Sequence, residues 1–283
     1  MRIVAVIQAR TGSSRLPGKV LLPLGGRSVL ERMIERVRAA RQLDAVVVAT
    51  TILPTDDPIR VLAAEMGVTC VSGDPTDLLD RHLAAARATA AEAVVKIPSD
   101  CPLIDPRVID EVVGFYRSRE GRLAFVSNLH PPTWPDGNDV EVMSLEVLET
   151  AWCEATQGFE REHTTPFIWD HPERFPIANV TAPWDLSASH RLTLDYQEDY
   201  QVIAAVFGAL YRPGAPPFTV EEIVAFLDAH PEVRAVNERH LGQSWMSRHL
   251  HELRTMQPAP APAPASVAPA PTATGTAMRE DRA

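Results

Sequence analysis

The sequence has little that would tie it to a disulfide scaffold, a nucleic acid or a lipid bilayer. Its cysteines number three, Cys70, Cys101 and Cys153. They are far apart and form no C-x-x-C pair, so neither a disulfide framework nor a zinc knuckle is indicated. A reducing cytoplasm fits that usage. Basic residues are in deficit, 27 Lys and Arg against 37 Asp and Glu, for a formal charge of −10. Affinity for DNA or RNA comes mainly from basic side chains that neutralise phosphates, so no nucleic-acid partner is expected. A small anionic ligand would need a local basic pocket. The N-terminal run Ile3-Val4-Ala5-Val6-Ile7 turns polar at Gln8, too short for a signal peptide or a membrane span, and no membrane association is expected. No internal repeat of the length that builds solenoids is present.

What is present is an alternation of strand-length apolar runs with longer segments of helical period, the pattern of βαβ units on a parallel sheet. Strands are expected at Ile3–Ala9, Ala45–Thr51, Val68–Val71, Ala93–Ile97, Leu123–Ser127, Val140–Met143, around Val180, and at Arg191–Leu194. Helices are expected from Ser28 to Arg41, with Ser28 and Glu31 as a capping box, and from Thr55 to Met66, closed by Gly67. Further helices are expected at Asp77–Ala91, Pro106–Ser118, Ser144–Ala155, Gln197–Tyr211, 219–229 and 240–255. From Pro258 to Ala277 the chain is rich in Pro and Ala and carries no charge, so it reads as a disordered tail. The expected division is one domain at 1–255, with a core at 1–210 and a helical extension at 211–255, followed by the tail at 256–283.

The strongest chemical signal is Gln8-Ala9-Arg10-Thr11-Gly12-Ser13-Ser14-Arg15-Leu16-Pro17-Gly18-Lys19, where the first strand ends. Ligands of open parallel sheets bind beyond the carboxyl ends of strands, and small residues let backbone N–H groups approach phosphate. Arg10, Arg15 and Lys19 would add cations. It is not a Walker A loop, because the glycine spacing is wrong and Val20 follows Lys19, and the dinucleotide fingerprint G-x-G-x-x-G is absent as well. A solvated βα turn is the plainer reading. The fourth expected strand delivers Asp100 to the same sheet edge.

Six segments in order carry a resemblance: the loop from Gln8 to Leu21; Asp77-Leu78-Leu79-Asp80-Arg81; Ser99-Asp100-Cys101-Pro102-Leu103-Ile104-Asp105; Pro135 to Val142; Glu160-Arg161-Glu162-His163-Thr164-Thr165-Pro166; and Arg191-Leu192-Thr193-Leu194-Asp195-Tyr196. Over residues 1–210 the sequence resembles the spore-coat polysaccharide (SpsF) type of cytidylyltransferase, relatives of CMP-Kdo and CMP-sialate synthetases. The resemblance implies a doubly wound, mostly parallel α/β fold of the nucleotidyltransferase, GT-A-like type, and a dimer. It also implies transfer of CMP from CTP to an acidic sugar or other anionic acceptor with release of pyrophosphate.

By position it makes Gln8, Ala9, Arg10, Gly12, Ser13, Ser14, Arg15, Lys19, Asp80 and Ser99 nucleotide-binding. Arg15, Lys19 and Asp100 are catalytic, and Asp100 with Asp195 would hold Mg²⁺. Pro98-Ser99 stands where the resemblance leads to Thr-Gly. Asp139, Glu141, Arg161 and His163 are acceptor candidates. Each has a plainer reading: a turn and edge strand for Asp139 and Glu141, an ion pair for Arg161, a structural hydrogen bond at a helix start for His163. Asp77 and Asp105 read as helix N-caps. Another NTP, a phosphonate or sugar-phosphate acceptor, and a catalytically silent nucleotide-binding protein remain the alternatives.

Overall fold

Alternate residues of the first strand enter different cores: Ile3, Ala5 and Ile7 belong to one apolar cluster, Val4 and Val6 to another. A strand buried on both faces belongs inside a sheet that is covered on both sides. The computed structural model, which describes residues 1–244, 246 and 251–255, has that arrangement. Its strands are β1 (Ile3–Gln8), β2 (Pro23–Leu24), β3 (Arg27–Ser28), β4 (Ala45–Thr51), β5 (Thr69–Gly73), β6 (Ala93–Pro98), β7 (Phe125–Ser127), β8 (Glu141–Ser144) and β9 (Ile177–Asn179). Seven of them form one sheet in the order β5-β4-β1-β6-β8-β7-β9, while β2 and β3 pair as a separate antiparallel hairpin. Strands β5, β4, β1 and β6 run parallel; β8 is antiparallel to both β6 and β7, and β9 is parallel to β7.

Helices α1 (Val29–Arg38), α2 (Asp57–Glu65) and α4 (Pro106–Arg117) cover one face. Helices α3 (Leu78–Ala88), α5 (Leu145–Glu154) and α7 (Pro166–Trp169) cover the other, with α6 (Gly158–His163) packed on α3. The chain then returns through α8 (Gln197–Leu210) and α9 (Val220–Ala229), which add Val202, Val206, Ile223 and Leu227 to the first core. The expected α/β fold with a mostly parallel sheet is therefore the observed one.

Local signals behave as capping chemistry predicts. Ser28 and Glu31 close a capping box, Gly67 takes φ 61, and the side chains of Asp77, Asp105 and Ser144 accept from the first turns of α3, α4 and α5. Three expectations are corrected. The segment 191–194 is not a strand: apart from a single bridge between Arg191 and Asp136, its amides bond to loops, Leu192 N–H to the Asp136 carbonyl and Leu194 N–H to the Asp100 carbonyl, both at 2.7 Å. His163 ends α6 rather than opening a helix. The helix expected over 240–255 is absent at 241–244, where a turn with Gly242 at φ 71 follows the 3₁₀ helix Ala235–His240. The Pro/Ala tail lies outside the described residues.

Gly137 is where the loop before β8 meets the segment 191–194. It sits at φ 107, and a Cβ there would lie 2.5 Å from the Leu192 carbonyl carbon and 2.6 Å from the Thr193 nitrogen. Backbone cannot yield as a flexible side chain does. Gly137→Ala is expected to destabilise the fold by about 3 kcal/mol or more, from backbone strain plus overpacking. The midpoint of urea unfolding measures it, and an unchanged midpoint would show that the two segments separate at little cost.

Candidate active site

The sheet order reverses between β1 and β6: the chain leaves β1 toward β4 and β5, then returns to pair β6 on the opposite side. Loops that follow two such strands diverge and leave a crevice at their carboxyl ends. Here the loop after β1 and the loop after β6 supply its two walls. The segment 191–195 threads between the Asp100 and Asp136 loops on the hydrogen bonds described above and delivers Asp195 to the same place. Gly18, at φ 70, turns the first loop into a 3₁₀ turn that starts at Lys19. The result is convergence on one ammonium. Lys19 Nζ donates to the Leu194 carbonyl at 2.6 Å and to Asp195 Oδ1 at 2.9 Å, and lies 3.4 Å from Asp100 Oδ2. Arg15 reaches Asp195 Oδ1 at 2.6 Å, and Arg191 approaches its other oxygen at 3.5 Å.

The first loop is anchored by Asp56, which lies at the start of the helix expected from Thr55. Asp56, 1% exposed, accepts from the Thr11 backbone N–H at 2.7 Å and the Thr11 hydroxyl at 2.6 Å through Oδ1, and from the Thr51 hydroxyl through Oδ2. Burial alone would raise its pKa, but the Thr11 and Thr51 hydrogen bonds outweigh that and hold it below the usual carboxylate range. Only the fold brings these positions together, across a parallel strand pair.

Charge in the crevice is unevenly balanced. Burial opposes ionisation of Asp195, yet Lys19 and Arg15 bring its pKa down to about 2. Asp139 is pushed up to about 7, first by enclosure and then by Asp100. Asp136 is raised by enclosure and by Asp139, against the pull of Arg191, which it meets at 2.9 Å. Carboxylates crowded to this degree suit a hard cation bound through oxygen. Among the described residues no three acidic, His or Cys side chains form a cage for a metal. Asp100 and Asp195, which both face the Lys19 ammonium, are the oxygen donors that a divalent cation would share with phosphate and water.

These groups face a cleft of about 470 Å³, within the range of small-molecule sites. Gln8, Ala9, Arg10, Ser13, Ser14, Arg15 and Lys19 line it from the first loop, and Ser99, Asp100, Asp139, His163 and Asp195 from elsewhere. The remaining expected residues are not on its walls. The Asp80 carboxylate accepts from the Trp152 indole at 2.9 Å, and Arg161 pairs with Asp77 at 2.6 Å, because α3, α5 and α6 pack together there. Glu141, 2% exposed, pairs with Lys96 and accepts from the Thr165 hydroxyl at 2.7 Å. Gly12 is likewise off the lining.

Of the charged lining residues, Lys96 escapes the sequence reading. Lys96 stands among apolar neighbours in β6, and that lone charge was its only signal. Asp136, in an acidic motif that reads equally as acceptor-orienting or as a turn, and Arg81, in the motif Asp77–Arg81 that reads as flanking the base or ribose, also line the cleft. Arg81, 4% exposed, donates through Nη1 to the Asp74 carbonyl at 2.6 Å and leaves Nε without a partner, while burial and nearby Arg10 depress its pKa. Two guanidinium groups held close in this way favour an anion between them.

Comparison with known proteins agrees with this geometry. The family model described as cytidylyltransferase matches residues 4–207. The chain belongs to the cytidylyltransferase family. An uncharacterised protein of Methanocaldococcus jannaschii is 33% identical over 243 residues, 84% of this chain and 95% of that protein. The spore coat polysaccharide biosynthesis protein SpsF of Bacillus subtilis is 29% identical, over 83% of this chain and 98% of its own. A solved cytidylyltransferase from Leptospira borgpetersenii superposes with a TM-score of 0.79 at 30% identity, covering 86% of this chain and 98% of that one.

In this cytidylyltransferase the loop anchor has a pH signature. Asp56 titrates below its unfolded value of 3.8 when folded. Its contribution is therefore complete above that value and lost as pH falls through the folded-state pKa. Asp56→Asn should cost about 2 kcal/mol near neutral pH, and the gap from the parent should narrow below about pH 4. Urea unfolding across that range checks both; a gap that stays constant would mean that the carboxylate charge is not what holds the loop.

Proposed function

We propose that the protein transfers CMP from CTP to a small anionic acceptor, an acidic sugar above all, and releases pyrophosphate. The observation that carries this reading is the meeting of Lys19, Arg15, Asp100 and Asp195 at the mouth of a loop rich in small residues. The nucleoside would lie toward Pro75 and Leu78, with Arg10 and Arg81 beside the first phosphate, and the triphosphate would run along the loop to Arg15 and Lys19. The acceptor would occupy the opposite part of the cleft, toward Asp139, His163, Trp134 and the ammonium of Lys96.

An acceptor oxyanion attacks the α-phosphorus in line, and the growing charge on the phosphate oxygens needs fixed cations already in place. Lys19 and Arg15 supply them. Asp100 and Asp195 would hold Mg²⁺, whose bound charge would neutralise the triphosphate and assist departure of pyrophosphate. Asp139, whose pKa is raised by enclosure and by the charge of Asp100, lies on the acceptor side of the cleft. A silent nucleotide-binding protein would have no use for a lysine shared between two carboxylates.

The catalytic domain would occupy residues 1–255 and would act as a dimer; the segment 129–143 is mostly buried within the protomer, with Val140, Val142 and Met143 at 0% exposure, and does not supply that contact. Among the described residues no helix is long and apolar enough to cross a membrane, and we assign the enzyme to the cytoplasm on its few scattered cysteines.

Pyrophosphate release should require a divalent ion, an NTP and an acceptor together. The four NTPs tested against sugar acids, sugar phosphates and phosphonates should single out CTP. Asp100→Ala and Lys19→Gln should each lower kcat by about 100-fold or more, with circular dichroism unchanged. Full turnover in Asp100→Ala would remove the metal assignment, and preference for another NTP would remove CTP as donor.

A further inference from the structure

The family match ends at residue 207, yet the cleft does not: Gly242, Gln243, Ser244 and Met246 also line it. Gln243 ties this segment to the core. Its carbonyl accepts from Arg191 Nη1 at 3.1 Å, its Oε1 accepts from the Tyr196 hydroxyl at 3.0 Å, and its Nε2 donates to the Arg239 carbonyl at 3.2 Å. The ring of Tyr196 stacks on His240 at 3.9 Å with 5° between planes, and the Arg15 guanidinium lies over the same ring at 5.3 Å. Arg191 in turn meets Asp136 and Asp195. It is itself fixed by Asp199, at 2.9 Å, and by the Asn237 amide, which donates to the Arg191 carbonyl at 3.1 Å. One exposed glutamine therefore touches a residue beside Arg15 and a residue beside Asp195, Tyr196 through its side chain and Arg191 through its backbone carbonyl.

We propose that Gln243 is a positioning residue for the triphosphate end of the site. Through the Tyr196 hydroxyl its side chain holds the ring under Arg15 where the β- and γ-phosphates of a bound nucleotide arrive, while its backbone carbonyl meets Arg191, so the segment 240–244 is a working wall of the cleft rather than a passive extension. This rests on the cytidylyl-transfer reading. It differs from a purely structural role in what it predicts. A support needed only for folding lowers stability and affects all ligands alike, whereas a positioning contact at Arg15 distinguishes a triphosphate from a monophosphate.

The test is calorimetric titration of the full chain with CTP and with CMP, each in the presence of Mg²⁺. Because Gln243 is exposed and Tyr196→Phe keeps the ring, neither substitution removes core packing. Gln243→Ala and Tyr196→Phe should each weaken CTP binding by about fivefold, the loss of one hydrogen bond. CMP binding should not change, and the double variant should bind CTP no more weakly than the weaker single. Equal CTP affinity in parent and variants, parallel weakening of CMP, or multiplying effects in the double variant would each overturn the assignment. A parent that fails to bind CTP would instead bring down the cytidylyl-transfer reading, a result distinct from a parent that binds and variants that match it.

Discussion

The ammonium of Lys19, 9% exposed, joins three stretches of chain that have no reason to meet in sequence. It donates to the Leu194 carbonyl and to Asp195, and it sits beside Asp100. Burying a lysine is costly unless its charge is matched, and here the match comes from the β6 loop and from a segment more than 170 residues away. Burial lowers the lysine's affinity for its proton, but Asp100 and Asp195 raise it by more. The first loop, the β6 loop and the chain at 191–195 thus stand or fall as one constellation. Wherever that constellation is intact, a cleft with fixed cations at its mouth follows.

The sheet makes the meeting possible. With β1 between β4 and β6, all three parallel, the loops from their carboxyl ends emerge on one edge, and the reversal of strand order opens the space between them. The antiparallel β8 then brings the Asp136–Asp139 turn to that edge from the other direction and sets Glu141 opposite Lys96 in the register. The pair is buried and closed by Thr165. Removing one member of such a pair is far more damaging than the pair is stabilising, so Glu141, itself off the cleft lining, fixes the Lys96 that lines it.

The C-terminal extension adds a second layer of support. Asp199 accepts from Arg191, from the amides of Asp195 and Tyr196, and from Asn237. A single buried carboxylate therefore caps α8, orients an arginine of the site and receives the extension. Arg36, 4% exposed, donates to the Leu103, Ile104 and Phe218 carbonyls and fastens the β6 loop between α1 and the start of α9. Burial takes its pKa down to about 10, still well above neutrality, so it remains a cation among carbonyl groups.

What the sequence alone determined is what local chemistry determines. Alternation marked β1, β4 and β6, caps at Ser28, Asp77 and Asp105 marked helix starts, and the loop from Gln8 to Lys19 announced itself by glycine, serine and cationic side chains. The order of motifs was enough to reach the family. The tertiary structure decided the rest, because it rests on contacts between distant residues. Asp56 as an anchor, Lys96 as a lining cation and Gln243 as part of the wall each depend on a partner at least 45 positions away. Asp80, Glu141 and Arg161, legible as motif residues, are instead spent on Trp152, Lys96 and Asp77. A charged side chain in a motif looks the same on the page whether it faces a ligand or another side chain, and only the packing of helices and strands around it decides which partner satisfies it.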